Sequence, residues 1–192
     1  MTGVFVCVVG PSGAGKDTLI TRARVRLGGD RRFVFPKRVV TREASRFEDH
    51  DVLTPERFEA LDREGAFALS WSAHGLSYGI PGHVRGDLQQ GRVVISNVSR
   101  NSVPAARSRF AVVRSVLVTA PREALRERIL ARGRESSDAV ERRLDREEAV
   151  VTPDADLTLV NVGPVEGHAE TLTGFLQSLV PVEAAVFGGA AP

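Results

Sequence analysis

Lysine, cysteine and aromatic side chains are all scarce in this 192-residue chain, and each shortage excludes something. A single cysteine, Cys7, cannot close an internal disulfide; inside the apolar run Val4–Val9 it reads as a small buried hydrophobe. No apolar run approaches the ~18 residues that would span a bilayer. With a first strand expected from Val4, no signal peptide is expected ahead of it, and the cytoplasm is the expected compartment. All but two of the 26 basic residues are arginine, the exceptions being Lys16 and Lys37. This arginine bias goes with a pI near 9.2 at a net charge of only +2. The arginines alternate with acids and no basic run is sustained, which argues against a nucleic-acid partner. His50, His83 and His168 lack metal-ligand spacing, so no zinc site is expected. What remains, with 42% hydrophobic and 26% charged residues, is the composition of an ordinary globular domain with a full core.

The most informative stretch is V-F-V-C-V-V-G-P-S-G-A-G-K-D-T-L-I at 4–20. A β-branched run enters a glycine-rich turn and leaves it as a helix-compatible segment, with G-x-x-x-x-G-K spacing from Gly10 to Lys16. Gly10, Gly13 and Gly15 let the backbone curl until successive N–H groups point into one concavity, between Ser12 and Ala14 and on to Lys16. A helix N-terminus behind it adds partial positive charge. This is the architecture of a phosphate-binding loop. One letter departs from the pattern. The residue after the lysine should be Ser or Thr, whose hydroxyl ligates Mg²⁺; here it is Asp17, followed by Thr18. A carboxylate is a hard ligand suited to Mg²⁺, and both Asp17 and Thr18 stand as metal-binding candidates.

Along the chain, strand-like runs are expected at 3–9, 92–96, 112–119 and 156–161. Helices are expected at 15–27, 55–64, 82–90, 101–108, 121–132, 137–150 and 165–179. Thr54-Pro55 supplies an N-cap and a first-turn proline. The alternation predicts an α/β fold, a central parallel β-sheet flanked by helices. Two segments interrupt it. Residues 37–80 are polar and arginine-rich, the natural place for an acceptor-binding insertion; residues 130–150 are crowded with charge, the natural place for a lid. A single domain over 1–180 and a loose tail over 181–192 are expected.

Six stretches carry a resemblance: G-P-S-G-A-G-K-D-T-L (10–19), R-V-V-T-R (38–42), E-D-H (48–50), F-A-L-S-W-S-A-H-G-L-S-Y-G-I-P (67–81), S-R-N-S-V-P-A-A (99–106) and A-R-G-R-E (131–135). They resemble the guanylate-kinase-like P-loop kinases and, within them, the ribose 1,5-bisphosphate phosphokinase family of phosphonate utilisation. Guanylate kinase has a glutamate before the tryptophan of the stretch at 67–81, where it reads guanine; here Ser70 precedes Trp71. Guanylate kinase also carries aspartates after the strand near residue 95, where this chain runs Ser96-Asn97-Val98-Ser99-Arg100. The resemblance therefore implies a sugar-phosphate acceptor, ATP as co-substrate and Mg²⁺. It implies that the loop through Lys16 holds the ATP phosphates and that Arg132, Arg143 and Arg134 form the lid's cations. On the acceptor side it implies Arg42 and Arg38, with Glu48, Asp49, His74, Tyr78 and Arg100 as further contacts. A homodimer stays open. So do three rival readings: a guanylate kinase with an altered base pocket, a gluconate- or shikimate-type kinase, and a non-catalytic binding module, against which the intact loop argues.

Overall fold

Val4–Val9 forms β1, and every residue in it is buried. Its alternation is sorted by the pleat: Val4, Val6 and Val8 enter one hydrophobic cluster, Phe5, Cys7 and Val9 another. A strand buried on both faces must lie inside a sheet covered on both sides by other elements. The computed structural model describes residues 2–41, 50–73, 75–131, 137–148 and 154–180. After β1 follow α1 (Lys16–Arg26), β2 (Phe33–Val34), β3 (Arg38–Val40), β4 (His50–Val52), α2 (Pro55–Arg63), β5 (Phe67–Ala73) and β6 (Leu76–Pro81). Then come α3 (Val84–Gln89), β7 (Val93–Asn97), a 3-10 turn (Arg100–Ser102), α4 (Val103–Arg109), β8 (Val113–Thr119), α5 (Arg122–Leu130), α6 (Ser137–Glu148), β9 (Leu157–Val160) and α7 (Val165–Ser178).

The main sheet has the order β2-β7-β1-β8-β9, with parallel pairing throughout. One face is filled by Leu19 and Ala23 of α1, Leu125 and Ile129 of α5, Val140 and Leu144 of α6, and Ala169, Leu172 and Leu176 of α7. The last three follow the helical spacing expected of that segment. The other face takes Val84 and Leu88 of α3 with Val103 and Ala106 of α4, and Phe110 stacks on Phe5 at 4.5 Å between ring centroids. Cys7 lies in this second cluster, where burial pushes its thiol up to about 12, so it is an inert packing residue as expected.

The expected strands and helices all appear among the described residues, and the ends that lie within them are displaced by no more than two residues. Thr54 caps α2 by accepting from the Arg57 amide at 3.3 Å. The 37–80 segment holds a second sheet, β4-β3-β6-β5, mostly antiparallel, with Phe58 and Phe67 stacked at 4.6 Å under it. Its base is continuous with the second core cluster through Ala68, Leu69 and Ile80. Strand β2 was not expected; a two-residue strand is too short to show a period.

Candidate active site

Where β1 ends, Gly10 (φ 142°) and Gly15 (φ 91°) bend the chain through conformations that L side chains rarely adopt. Space is as restrictive as torsion. A Cβ on Gly15 would sit 2.4 Å from Nδ2 of Asn161, which follows β9. That amide donates to Ala14 O at 2.7 Å, while Arg128 of α5 donates to Asn161 O at 2.9 Å. The loop's outer carbonyl is thereby tied down from behind. The first-turn N–H groups of α1 have no acceptor within the helix and remain for a ligand. Lys16 closes the concavity: its Nζ donates to Gly10 O and Pro11 O, each at 2.8 Å.

Burial pulls the Lys16 pKa from its ordinary 10.5 down to about 8; Asp17 and Glu147 oppose the shift, and Arg38 and Arg100 reinforce it. An unfolded lysine keeps its proton to higher pH, so between the two values the unfolded chain binds more protons, and Lys16 makes stability rise with pH across that window. A bound phosphate favours the charged form and raises the pKa again. Binding of Mg·ADP at about pH 9 is therefore expected to take up close to one proton, and at about pH 7 close to none. Calorimetry in buffers of different ionisation enthalpy measures this; a binding heat independent of buffer at high pH refutes it.

Beside the lysine, Asp17 meets the end of β7. Asn97 Nδ2 donates to Asp17 Oδ1 at 2.9 Å. Arg38 of β3 reaches the same oxygen from Nη2 at 3.5 Å, while its Nη1 donates to Asn97 O at 3.4 Å. Arg38 is nearly buried, with 11% of its side chain exposed, against 42% for Asp17. These residues line a cleft of about 70 Å³ with Thr21, Arg24 and Lys37. A larger cavity, about 730 Å³, opens between Gly3, Phe67, Arg85 and Arg109 at the opposite, N-terminal edge of the strands. Ligands of parallel α/β sheets bind at the carboxyl ends, so the smaller cleft is the one that belongs to the chemistry.

Of the two metal-binding candidates, Asp17 faces the strand end and Thr18 lies on the exposed side of α1. Among the described residues no three His, Cys, Asp or Glu side chains cluster to hold a metal. A single carboxylate beside a phosphate loop nevertheless fits Mg²⁺, which takes one or two carboxylates and fills its octahedron with water and substrate phosphate.

The remaining predicted residues divide. Arg100 is buried and ion-paired: its Nη2 donates to Glu147 O at 2.8 Å and to the Glu147 carboxylate, linking the end of β7 to α6. Arg143 of α6 has its Nε buried on the same helix. Exposed pairs of Arg122 with Glu141 and Asp145 and of Arg126 with Glu141 hold α6 against α5, where salt screens them. Tyr78 stacks on Trp71 at 5.4 Å with rings 7° from parallel. Arg42, Glu48, Asp49, His74, Arg132 and Arg134, like the 181–192 tail, lie outside the described residues. Four functional neighbours escaped the sequence reading: Asn97, Asn161, Arg128 and Glu147. The first two each stand at the carboxyl end of a strand, a position that marks ligand sites in such sheets and was open to inspection.

A glycine-bent loop with a half-buried lysine at the carboxyl end of a parallel sheet, with a small second sheet supplying Arg38, defines a P-loop kinase of guanylate-kinase-like build. The AAA domain family matches residues 6–149. A guanylate kinase from Anaplasma phagocytophilum superposes with a TM-score of 0.67 over 95% of this chain and 88% of that one, at 19% identity. In sequence, the ribose 1,5-bisphosphate phosphokinase PhnN of Rhodopseudomonas palustris is 48% identical over 88% of this chain and 86% of that protein. That of Methylobacterium radiotolerans is 46% identical over 93% of this chain and 99% of that protein. The chain belongs to the ribose 1,5-bisphosphate phosphokinase PhnN family.

Proposed function

We infer that this kinase transfers the γ-phosphoryl group of ATP to ribose 1,5-bisphosphate, giving 5-phosphoribosyl 1-diphosphate (PRPP) and ADP in phosphonate catabolism. The identity of 46–48% to two such phosphokinases over most of both chains carries the reading. One neutral residue supports it: by the resemblance, Ser70, half-buried on β5, stands where a guanine-reading kinase has an acid.

The reaction asks for positioning and charge neutralisation. An oxygen of the sugar's 1-phosphate attacks the γ-phosphorus; the bond from that phosphorus to the β–γ bridging oxygen breaks, and ADP leaves with the electron pair. The attacking oxygen is already anionic, so no proton has to be removed and no general base is required. The loop N–H groups and Lys16 hold the phosphates, and the lysine neutralises charge growing between β and γ. Arg38 and Arg42 would bind the acceptor's phosphates, His74 and Tyr78 a phosphate or a hydroxyl of the acceptor, and Glu48 and Asp49 would accept sugar hydroxyls or help to hold Mg²⁺. Arg132, Arg134 and Arg143 close over the transferring group, which excludes water. Arg100 holds the lid helix through Glu147. Asp17 would hold Mg²⁺, which would supply charge neutralisation at the transferring phosphates. The substrates are small and soluble, which suits the cytoplasm.

A coupled ADP-release assay with ATP and Mg²⁺ tests this, comparing ribose 1,5-bisphosphate with GMP as acceptor. Turnover with PRPP formed is the expected result. Turnover on GMP alone overturns the acceptor assignment and moves base reading to residues other than position 70.

A further inference from the structure

We propose that the metal-binding carboxylate has changed places in this kinase, from strand to loop, and that Asn97 is the positioning residue for Asp17. The inference rests on the phosphoryl-transfer reading but not on the identity of the acceptor. P-loop enzymes in general share Mg²⁺ between a loop hydroxyl after the lysine and an aspartate at the end of a neighbouring strand. One of the pair is neutral and the other anionic. Here the residue after Lys16 is the anion, Asp17. Strand β7 lies directly beside β1, with Val8 paired to Asn97, so Asn97 occupies the strand-end position of that aspartate and is the neutral member. The charge of the pair is conserved while its ends are exchanged.

The hydrogen bond shows how the exchange is held. A carboxylate only accepts, so the amide must present Nδ2, and it does so at 2.9 Å to Oδ1. Both contacts to Asp17, from Asn97 and from Arg38, fall on Oδ1. Oδ2 has no partner among the described residues, and the side chain is 42% exposed on the cleft. One oxygen is thus anchored and the other is left for a cation. An aspartate at position 97 opposite Asp17 would set two carboxylates at hydrogen-bonding distance, which like-charge repulsion forbids without a shared proton or metal. The asparagine is therefore what an aspartate at position 17 requires. The Arg38 contact, at 3.5 Å, is long for a hydrogen bond and is the one an incoming cation displaces.

The test uses Mn²⁺ as probe and ADP as the only other ligand, so a wrong acceptor leaves it untouched. Electron paramagnetic resonance of free Mn²⁺ gives the metal affinity of the full-chain protein–ADP complex. Asp17→Ser and Asn97→Ala are each expected to weaken it, by about 10–100-fold for the outer-shell change. The double exchange Asp17→Ser with Asn97→Asp is expected to bring it back to within about threefold of the parent, because it restores the common hydroxyl–aspartate arrangement. A double variant as weak as the product of its single changes overturns the exchange. Unchanged Mn²⁺ affinity in Asn97→Ala, with only a lower melting temperature, reduces Asn97 to a structural anchor and overturns its role. Should the double variant fail to fold, Asn97→Ala and Asn97→Ser titrations decide the positioning role by the same readout.

Discussion

Lys16→Ala is expected to lower turnover by about 10²–10³-fold, the range for removing one preorganised charge-stabilising donor. The melting temperature is expected to hold at the parent's value or rise slightly. The two halves of that result come from one fact. Folding takes the Lys16 ammonium into a site that disfavours its charge, with the pKa held near 8, and two backbone carbonyls with the nearby Asp17 and Glu147 carboxylates offset only part of that burial. At neutral pH the charged lysine is thus a cost to the free protein, and a neutral methyl in its place relieves that cost. The return comes only with phosphate, whose charge grows between the β and γ positions as the transition state forms. Lys16→Arg separates charge from shape: it keeps a cation but puts a planar fork where a compact ammonium with rotatable donors fits, and is expected to recover only part of the loss. Turnover of Lys16→Ala within about threefold of the parent would mean that the loop does not hold the transferring phosphate.

The loop was legible in the sequence because its requirements are local. Glycines at 10, 13 and 15 and a lysine at 16 answer to torsion signs and reach within a dozen residues, so spacing alone conveys them. The parallel sheet was legible for a similar reason: runs such as Val93–Val94–Ile95 are apolar on both faces, which only a covered strand tolerates. The supports of the site were not legible, because their partners are far away along the chain. Asn161 reaches Ala14 across 147 residues, Arg128 reaches Asn161, and Asn97 reaches Asp17 across 80. Nothing in the neighbourhood of an asparagine in sequence says which distant oxygen it will meet. Glu147 illustrates the same limit from the other side. In a charge-crowded helix it reads as a surface partner for Arg143 at i,i+4, yet the fold delivers Arg100 to it from the end of β7, where both are largely shielded from solvent. The absent carboxylate after β7 was visible as a gap, but only the register between β1 and β7 shows which residue stands in it.

Gly10→Ala is expected to be the most damaging small substitution for stability. At φ 142° the position already disfavours any L side chain, and an added Cβ would lie 1.9 Å from Val118 O and 3.0 Å from Val118 C. Those atoms belong to the backbone of β8, which pairs in parallel with β1 up to Val9↔Leu117, one step before the glycine. No rotamer change can make room. Either β8 moves off β1 or the loop leaves its curl, and both break the sheet that supports the phosphate site. Gly29→Ala provides the control: its φ is 83°, but nothing lies within 4 Å of the added carbon. That variant is expected to lose about 1 kcal/mol, the cost of backbone strain without collision. Gly10→Ala is expected to lose about 4 kcal/mol or more, in the range reserved for disruption of a packed core, and to lose nucleotide binding with it. Urea denaturation of the two variants side by side separates torsion from collision. Equal losses would show that the strand relaxes around the methyl group, and would detach the shape of the loop from the packing of β8 against β1.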